Sequence, residues 1–362
     1  MLENQIRTVN TAFTVLKRVV RPCISRVGLS LTYDCNQKCK TCDVWQVNRR
    51  QPELRQKEMT LEEVQKFSEA NSKPGLIWIA LTGGEPFIKK DMKGIIEAIN
   101  TIPTLRMISI TTNGSLPDKI EEDLRHFLTH GNKMTTAAVQ ISFEGPEEDQ
   151  TMITGIESSY KKAKESLRVI TALSKESSRI RAQISYTLSK YSQGNLKALL
   201  SSLDGLCPPL DRIHVGIGWN ADYYQFTDGR DVAPDTKVFL EEINWLKSKF
   251  SWKSWLDPIS LVSTKTYLNK VSKNLGKGVT GIGCAAAQIS CSIDPYWDVH
   301  PCTYLFRLNL GSLKNYGYNV QSLLDYTETI WRPKVMGCLK NGGCKNLCEA
   351  YPTVLFRPWK ML

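Results

Sequence analysis

Short runs of β-branched residues alternate with longer amphipathic stretches between residues 27 and 250. This alternation is typical of repeated strand–helix units that build a parallel sheet. The helix before the second strand is predicted to begin with a capping box, in which Thr60 faces Glu63. The pattern predicts an α/β fold, an incomplete (β/α)6 TIM-like barrel, with its six strands at residues 27–32, 76–81, 106–111, 137–143, 181–187 and 212–218.

Polar side chains repeat along one face of three predicted strands. Every second residue is polar, as at Ser109, Thr111 and Asn113 in the third strand, Gln140, Ser142 and Glu144 in the fourth, and Gln183, Ser185 and Thr187 in the fifth. Because the helices of a barrel cover an apolar strand face, the polar face is predicted to line the lumen, near whose carboxyl-end opening a polar ligand binds. A sheet with one solvated face would give this pattern in a single strand, but agreement among three favours the lumen.

The sequence on either side of the barrel predicts three further segments. Residues 1–26 form an amphipathic helix, residues 251–280 a connection of little periodicity, and residues 281–362 a small cysteine-rich domain, with the barrel itself at 27–250. The amino-terminal helix fits two arrangements, one docked against the barrel, which is the commoner, and one lying on an anionic membrane surface. Its apolar stripe consists of Leu2, Ile6, Val9, Phe13, Leu16 and Val20.

Charge and composition exclude several classes of protein. The 362 residues carry 47 Lys and Arg against 36 Asp and Glu, a net charge of +11, and the excess lies in the two ends of the chain. No apolar run is long enough to span a bilayer, and no secretory signal is recognisable, so a reducing cytoplasm is expected, with peripheral contact to the inner face of the membrane as an option. Net charge without an RNA-binding motif predicts no specific nucleic-acid partner.

Three of the eleven cysteines follow the first predicted strand closely, with the spacing C-x3-C-x2-C at Cys35, Cys39 and Cys42. Thiolates select zinc or iron–sulfur centres, and three ligands leave a fourth position open. Zinc at this loop is disfavoured because the first histidine of the chain is His126. A disulfide would leave one thiol over.

Further motifs follow the next strands in order. Residues 81–86 read LTGGEP, residues 111–114 TTNG and residues 142–145 SFEG. Gly83 and Gly84 lack side chains, as a backbone that approaches a ligand closely requires, and Glu85 adds a charge there. A tight turn would account for the glycine pair taken alone.

With these motifs in this order, the chain resembles the radical S-adenosylmethionine (radical SAM) superfamily. The resemblance implies that Cys35, Cys39 and Cys42 hold three irons of a 4Fe–4S cluster and that S-adenosylmethionine binds the fourth. It assigns the methionine amine to Gly83, Gly84 and Glu85. Candidates for the ribose and carboxylate are Asn113, Ser142, Glu144 and Ser185. The chain departs from the family at Thr41, commonly aromatic, and at Thr154, where related enzymes often carry an arginine.

Six more cysteines lie between residues 284 and 348, and the last three resemble the end of the SPASM motif, which binds auxiliary 4Fe–4S clusters. The resemblance implies a SPASM- or Twitch-like domain with one auxiliary cluster on Cys284, Cys291, Cys302 and Cys348, with Cys338 and Cys344 as possible further ligands. A structural zinc site is the alternative. Asp298 and His300, just before Cys302, are candidate bases that take a proton from a substrate radical.

The resemblance predicts an enzyme that cleaves S-adenosylmethionine reductively and abstracts a hydrogen atom from a substrate. A peptide or protein substrate is favoured slightly over a lipid or other small molecule at the membrane surface. The basic, amphipathic ends of the chain support the second option. The implied reductant is a protein such as flavodoxin or ferredoxin. A non-catalytic metal-binding or electron-transfer protein is the rival, and it gives no use to the glycine pair or the polar lumen.

Overall fold

An eight-stranded, mostly parallel sheet forms the centre of the protein. The computed structural model describes residues 2–20, 23–73, 75–218, 231–249, 258–274, 281–340 and 347–356. The strands are β1 (Arg26–Ser30), β2 (Trp78–Thr82), β3 (Met107–Thr112), β4 (Thr136–Phe143), β5 (Ile180–Leu188), β6 (Ile213–Ile217), β7 (Ser290–Ile293) and β8 (Val299–His300). Their order is β6-β5-β4-β3-β2-β1-β7-β8, which confirms the six predicted strands of a partial barrel and adds β7 and β8.

Helices connect the strands and cover the outer face of the sheet. Those up to β5 are α1 (Leu2–Val20), α2 (Val47–Arg50), α3 (Leu61–Ala70), α4 (Met92–Asn100), α5 (Pro117–His130), α6 (Glu147–Thr154) and α7 (Ser159–Glu176). After β5 follow α8 (Leu196–Ser202), α9 (Thr236–Ser248), α10 (Pro258–Asn274), α11 (Val320–Tyr326), α12 (Glu328–Lys340) and α13 (Leu347–Phe356). The capping box of α3 is present, since Glu63 N donates to Thr60 Oγ1 and Thr60 N to Glu63 Oε2. None of the described helices is long and apolar enough to cross a bilayer.

The two faces of the barrel strands differ in burial as the sequence predicts. In β2, β3 and β5, fully buried residues alternate with partly exposed ones. The buried positions are apolar, such as Ile108 and Ile110, and belong to the main hydrophobic core. The partly exposed positions include Ser109, Thr111 and Ser185. Because the helices occupy the other face, these polar side chains line the lumen.

The carboxyl-terminal segment continues the sheet of the barrel. Strand β7 pairs in parallel with β1, with Val27 opposite Cys291, and β8 then pairs antiparallel with β7. The turn between them contacts the segment before α3, because Met59 N donates to Pro295 O over 2.7 Å. The rings of Tyr33 and Tyr296 meet edge to face at 5.5 Å. The segment that carries the second set of cysteines is therefore fixed to the first strand and to the loop that follows it.

A buried ion pair connects β1 with α13. Arg26 Nη1 lies 3.6 Å from Glu349 Oε1, and the two side chains are only 7% and 1% exposed. Ser290 Oγ donates to the same carboxylate. The Arg26 guanidinium also lies over the Trp78 ring, 4.9 Å from its centroid. Breaking such a pair leaves one buried charge without compensation, so it holds the two elements in one arrangement.

Removal of the Glu349 carboxylate is expected to destabilise the chain strongly. For Glu349→Ala we expect the free energy of unfolding to fall by about 3–5 kcal/mol, because Arg26 is left charged and buried. Urea denaturation of the full chain, prepared without added iron, measures this. The matched control replaces both partners, Arg26→Met with Glu349→Leu, and should recover most of the loss. A cost below about 1 kcal/mol for the single variant would show that the pair does not fix α13.

Candidate active site

The three cysteines of the first set lie on the loop after β1, at the carboxyl end of the strand. The loop is bound to the last turn of α6, because Lys38 N donates to Thr154 O and Lys40 N to Ile153 O, each over 2.9 Å. Within the loop, Cys42 N donates to Cys39 O. These backbone bonds hold the sulfur-bearing segment in a fixed conformation against a helix end whose carbonyls need donors.

A polar network behind the loop fixes its first residues. Arg55, in the 3-10 turn Pro52–Lys57, makes two hydrogen bonds of 2.6 and 2.7 Å to Asp34, directly before Cys35. Burial would raise the pKa of Asp34, but hydrogen bonds from Arg55 and Asn48 hold it below its usual value. Buried Glu58 accepts from Tyr33 N over 2.7 Å and from Asn48 Nδ2 over 2.8 Å. Sequence analysis missed this network, since no motif or periodicity connects its members.

Burial raises the pKa of all three thiols. The pKa of Cys35 rises to about 11 and that of Cys42 to about 12. The pKa of Cys39 rises as well, through burial first and then through the charges of Glu144, Cys42 and Cys35. The three sulfurs are thus close enough to affect one another's ionisation. A cation is what stabilises thiolates in such a place, and these free thiols fit an iron or zinc centre.

The residue types of the loop fit two kinds of metal centre. Thiolates bind zinc and iron–sulfur centres alike, and three of them leave one position open. Elsewhere among the described residues, Glu97, His126 and His130 on α4 and α5 place three ligand atoms within 4.8 Å of one another.

The glycine pair after β2 packs directly on the cysteine loop. A Cβ added to Gly83 would overlap the carbonyl oxygen of Thr32, and one added to Gly84 would overlap that of Asp34. Gly83 also has a φ of +131°. Gly84 N donates to Thr32 O over 2.7 Å, and Glu85 N donates to Asp34 O over 2.8 Å. These positions need glycine because two loops approach each other here, a reason that the sequence alone does not give.

Glu85 connects the loops that follow β2 and β3. Its side chain is buried, and Oε1 accepts from Thr112 Oγ1 over 2.7 Å while Oε2 accepts from Asn113 N over 2.8 Å. Burial raises the pKa of Glu85 to about 7 against the opposing effect of these hydrogen bonds. Asn113 Nδ2 in turn lies 3.8 Å from Cys35 Sγ and donates to Asn36 Oδ1. Both predicted residues therefore lie beside the first cysteine.

Buried polar atoms without hydrogen-bond partners surround the third side of the site. Glu144 Oε2, Gln150 Nε2 and Gln37 Nε2 are all in this state, although Glu144 N does donate to Gln150 Oε1. Burial also raises the pKa of Glu144 to about 7. Each unsatisfied buried group costs about 1–3 kcal/mol, which a polar ligand can offset. Gln37 and Gln150 were not predicted as site residues.

The remaining predicted lumen residues lie at one level of the barrel. Ser142 on β4 is opposite Ser185 on β5, and Ser185 is opposite His214 on β6. Thr154, at the place where related enzymes often carry an arginine, turns its hydroxyl away to Gln150 O and Ser159 Oγ. It is buried and engaged within its own helix turn, so it does not replace that arginine.

Part of the second cysteine set lies at the start of β7 and after β8. Cys284, Cys291 and Cys302 are buried, and backbone amides donate to two of their sulfurs, Ala286 N to Cys284 and Leu305 N to Cys302, each over 3.4 Å. Burial raises the pKa of Cys302, and the charges of Glu349 and Cys284 raise it further. Cys338 lies in α12. Cys344 and the side chain of Cys348 lie outside the described residues.

The two candidate bases lie on the β7–β8 hairpin. The imidazole of His300 is buried and stacks on Phe306, with 3.9 Å between ring centroids, and its Nε2 is 3.8 Å from Asp294 Oδ2. Asp298 instead accepts from Asn309 Nδ2 over 2.7 Å, and burial raises its pKa. Phe306 also belongs to the apolar cluster that packs against Cys42. His300 therefore stacks on a member of the apolar cluster against which Cys42 also packs.

Residues 29–181, from β1 into β5, match the Radical SAM superfamily. This segment contains all three loop cysteines, the glycine pair, Glu85 and Glu144. This matched segment comprises less than half of the chain.

Two curated proteins are similar to part of this chain. The GTP 3′,8-cyclase of Alkaliphilus metalliredigens is 31% identical over 116 residues, which are 30% of this chain and 34% of that protein. The GTP 3′,8-cyclase of Haemophilus influenzae (strain PittGG) is 38% identical over 88 residues, 24% of this chain and 25% of that one. The matched region thus spans about a third or less of the length of these relatives.

Solved structures extend the likeness to most of the fold. Native anSMEcpe with bound AdoMet superposes with a TM-score of 0.57 at 14% identity and covers 93% of this chain and 98% of that one. Streptococcus suis SuiB bound to the precursor peptide SuiA gives a TM-score of 0.54 at 13% identity, with 82% and 64% covered. At these identities the likeness is one of fold.

His214 is expected to make the stability of the chain depend on pH. Burial lowers its pKa to about 4, whereas the unfolded chain titrates near 6.5. Between these values the unfolded state binds more protons, so stability falls as the pH is lowered through this window, by about 2 kcal/mol between pH 7.5 and pH 5. Urea denaturation of His214→Gln should show a smaller fall. The exposed His130→Gln is the control and should keep the fall of the natural chain; an equal fall in both variants would contradict the assignment.

Proposed function

We propose that this protein binds a 4Fe–4S cluster on Cys35, Cys39 and Cys42 and uses it to cleave S-adenosylmethionine. When bound, the cluster supplies the electron that breaks the sulfonium into methionine and a 5′-deoxyadenosyl radical, which abstracts hydrogen from a substrate. The observation that carries this proposal is the grouping of three half-buried, mutually interacting thiols beside buried polar atoms that lack partners. A mere metal-binding protein would leave those polar atoms without a role.

The polar residues around the loop are suited to hold the parts of such a cofactor. Glu144 and Gln150 offer an acceptor and a donor that nothing in the described structure satisfies. Ser142 and Ser185 present hydroxyls at one level of the lumen. We assign the amine of the methionine to the backbone carbonyls of Gly83 and Gly84 and to Glu85, and the ribose and carboxylate to Asn113 and these lumen residues.

We further propose one auxiliary 4Fe–4S cluster on Cys284, Cys291, Cys302 and Cys348. Cys302 is near Cys284, and both Cys302 and Cys291 are near Glu349, the residue after Cys348. The amide hydrogen bonds to the sulfurs of Cys284 and Cys302 are of the kind that tunes iron–sulfur centres. Cys338 and Cys344 remain possible further ligands.

The proposed substrate is a peptide or protein. The support is that SuiB, whose structure holds a precursor peptide, shares this fold over 82% of the chain. The likeness to the GTP 3′,8-cyclases lies in a quarter to a third of their length, so it supports the common chemistry rather than their substrate. A lipid or other small molecule is the second candidate, favoured by the exposed apolar side of α1.

We assign the base that removes a proton from the substrate radical to His300 or Asp298. The proximity of His300 to Asp294, and its stacking on the apolar cluster against which Cys42 packs, favour His300. The reductant is proposed to be a flavodoxin or ferredoxin. Free thiols at Cys35, Cys39 and Cys42 require a reducing compartment, so we place the protein in the cytoplasm.

The decisive variant is Cys39→Ala. After anaerobic reconstitution with iron and sulfide, the natural chain given S-adenosylmethionine and dithionite should form 5′-deoxyadenosine, and Cys39→Ala should lower the rate at least 100-fold because it removes one cluster ligand. Chromatography of the nucleoside products measures this. Cys207→Ala, at a half-buried cysteine outside both sets, is the matched control and should retain the activity.

The same assay separates the rival functions. Zinc without iron in the natural chain, or deoxyadenosine formation unchanged in Cys39→Ala, would overturn the proposal. Candidate peptides encoded beside the gene should accelerate the reaction and become modified, as mass spectrometry would detect. Acceleration by lipid extracts and not by peptides would instead favour the second candidate.

The auxiliary site is expected to account for about half of the iron. Reconstituted Cys302→Ala should contain about four irons per chain where the natural protein contains about eight, because the lost ligand opens only the second cluster. It should still form deoxyadenosine from S-adenosylmethionine when no substrate is present. Iron and zinc analysis measures the difference. Stoichiometric zinc that disappears in Cys302→Ala would assign the site to a structural zinc instead.

A further inference from the structure

Helix α1 presents apolar side chains to solvent. Val9, Phe13 and Leu16 are 68%, 58% and 57% exposed. They follow one another at intervals of four and three residues and so share one face of the helix. Single exposed apolar residues are common, but an aligned row of them is not. Such a row is typical of a surface that binds another molecule.

The opposite, polar side of α1 contacts the barrel. Arg7 is buried and donates to Ser178 Oγ, and Arg106 Nη2 donates to Asn10 Oδ1 over 3.1 Å. Val15 adds an apolar contact at the edge of this interface. Helix α1 is therefore docked against the barrel, the arrangement expected as the commoner one, but Val9, Phe13 and Leu16 of the apolar stripe face solvent. A helix held by its polar side keeps its apolar side available.

A positive charge lies beside the exposed row. Lys17 is exposed, and its ammonium lies 4.5 Å from the centroid of the Phe13 ring. Residues 1–60, which include the helix, carry 11 basic and 5 acidic side chains. An apolar row beside a cation, in a basic part of the chain, matches a surface with anionic headgroups above acyl chains.

A second copy of this chain fits the row less well. Two copies related by a twofold axis would place the same patch against itself. If the two helices run parallel, Lys17 of one copy approaches Lys17 of the other, and like charges disfavour that contact. If they run antiparallel about Phe13, each Lys17 comes close to the apolar Val9 of the other copy, where no opposite charge of the row meets it. A bilayer carries the opposite charge over the whole area that the helix covers.

We propose that α1 docks the protein on an anionic membrane surface, with Val9, Phe13 and Leu16 inserted at the headgroup boundary and Lys17 next to lipid phosphates. The helix lies along the surface and does not cross it, in line with the lack of a membrane-spanning helix among the described residues. This proposal is independent of the reaction at the cysteine loop.

Vesicle co-sedimentation of the full chain tests the proposal. The probes are phosphatidylcholine vesicles with and without about a third of phosphatidylglycerol. We expect binding only to the anionic vesicles, weakened at least tenfold by Phe13→Ser with Leu16→Ser and about fivefold by Lys17→Ala. The matched control, Tyr326→Ser with Ile330→Ser, changes two apolar residues that are 76% and 50% exposed elsewhere, and should leave binding unchanged.

Several results would overturn the docking surface. These are no binding to anionic vesicles, equal binding to neutral ones, or binding insensitive to Phe13→Ser with Leu16→Ser in a variant whose circular dichroism and melting temperature match those of the natural chain. Light scattering that shows a dimer dissolved by this variant would assign the row to a second copy. Deoxyadenosine formation without lipid should be the same in all these variants, so the two proposals fail separately.

Discussion

The partial burial of three thiols on one short loop is the constraint on which the rest of the site depends. Burial favours the neutral thiol, so the sulfurs bind as thiolates only when a cation compensates. The loop must hold its shape for that cation, and three partners hold it. The end of α6 accepts the amides of Lys38 and Lys40, the carboxylate of Glu58 accepts the amide of Tyr33, and the glycine loop donates to the carbonyls of Thr32 and Asp34. All of these bonds are made to backbone groups of the cysteine loop, which leaves its sulfur atoms available for the metal.

The polar lumen, like the cysteine loop, contains buried groups that need a bound partner. Parallel strands normally bury apolar side chains on both faces. In this barrel, the inner face carries polar side chains instead. It accepts Ser142, Ser185 and His214 in the lumen and leaves atoms of Glu144 and Gln150 without partners. Such unsatisfied groups lower the free energy of unfolding. A polar ligand that forms hydrogen bonds with them removes this cost, and the free energy recovered adds to its binding affinity.

Sequence analysis predicts the features that local periodicity encodes and misses those that depend on distant pairing. Strand alternation and cysteine spacing give the six barrel strands and the loop. The joining of β7 to β1 and the pair formed by Asp34 and Arg55 connect residues whose sequence pattern carries no shared signal. The direction of α1 also escapes prediction, because an amphipathic stripe looks the same whether it faces the barrel or solvent. The contact between the glycine pair and the cysteine loop can be identified only from the positions of both loops in the structure.

The pairing of β7 with β1 decides how the two halves of the protein can work together. It places Cys291 beside Val27 on the strand that leads into the cysteine loop, and the ion pair between Arg26 and Glu349 fixes α13 at the other end of that strand. Parallel strands in one hydrogen-bonded ladder do not slide, because a shift by one residue would reverse every side chain. The distance between the two cysteine sets is therefore set by the backbone of the sheet. A flexible linker could not keep two groups of cysteines at a constant separation, whereas a shared sheet does so without any contact between the two groups.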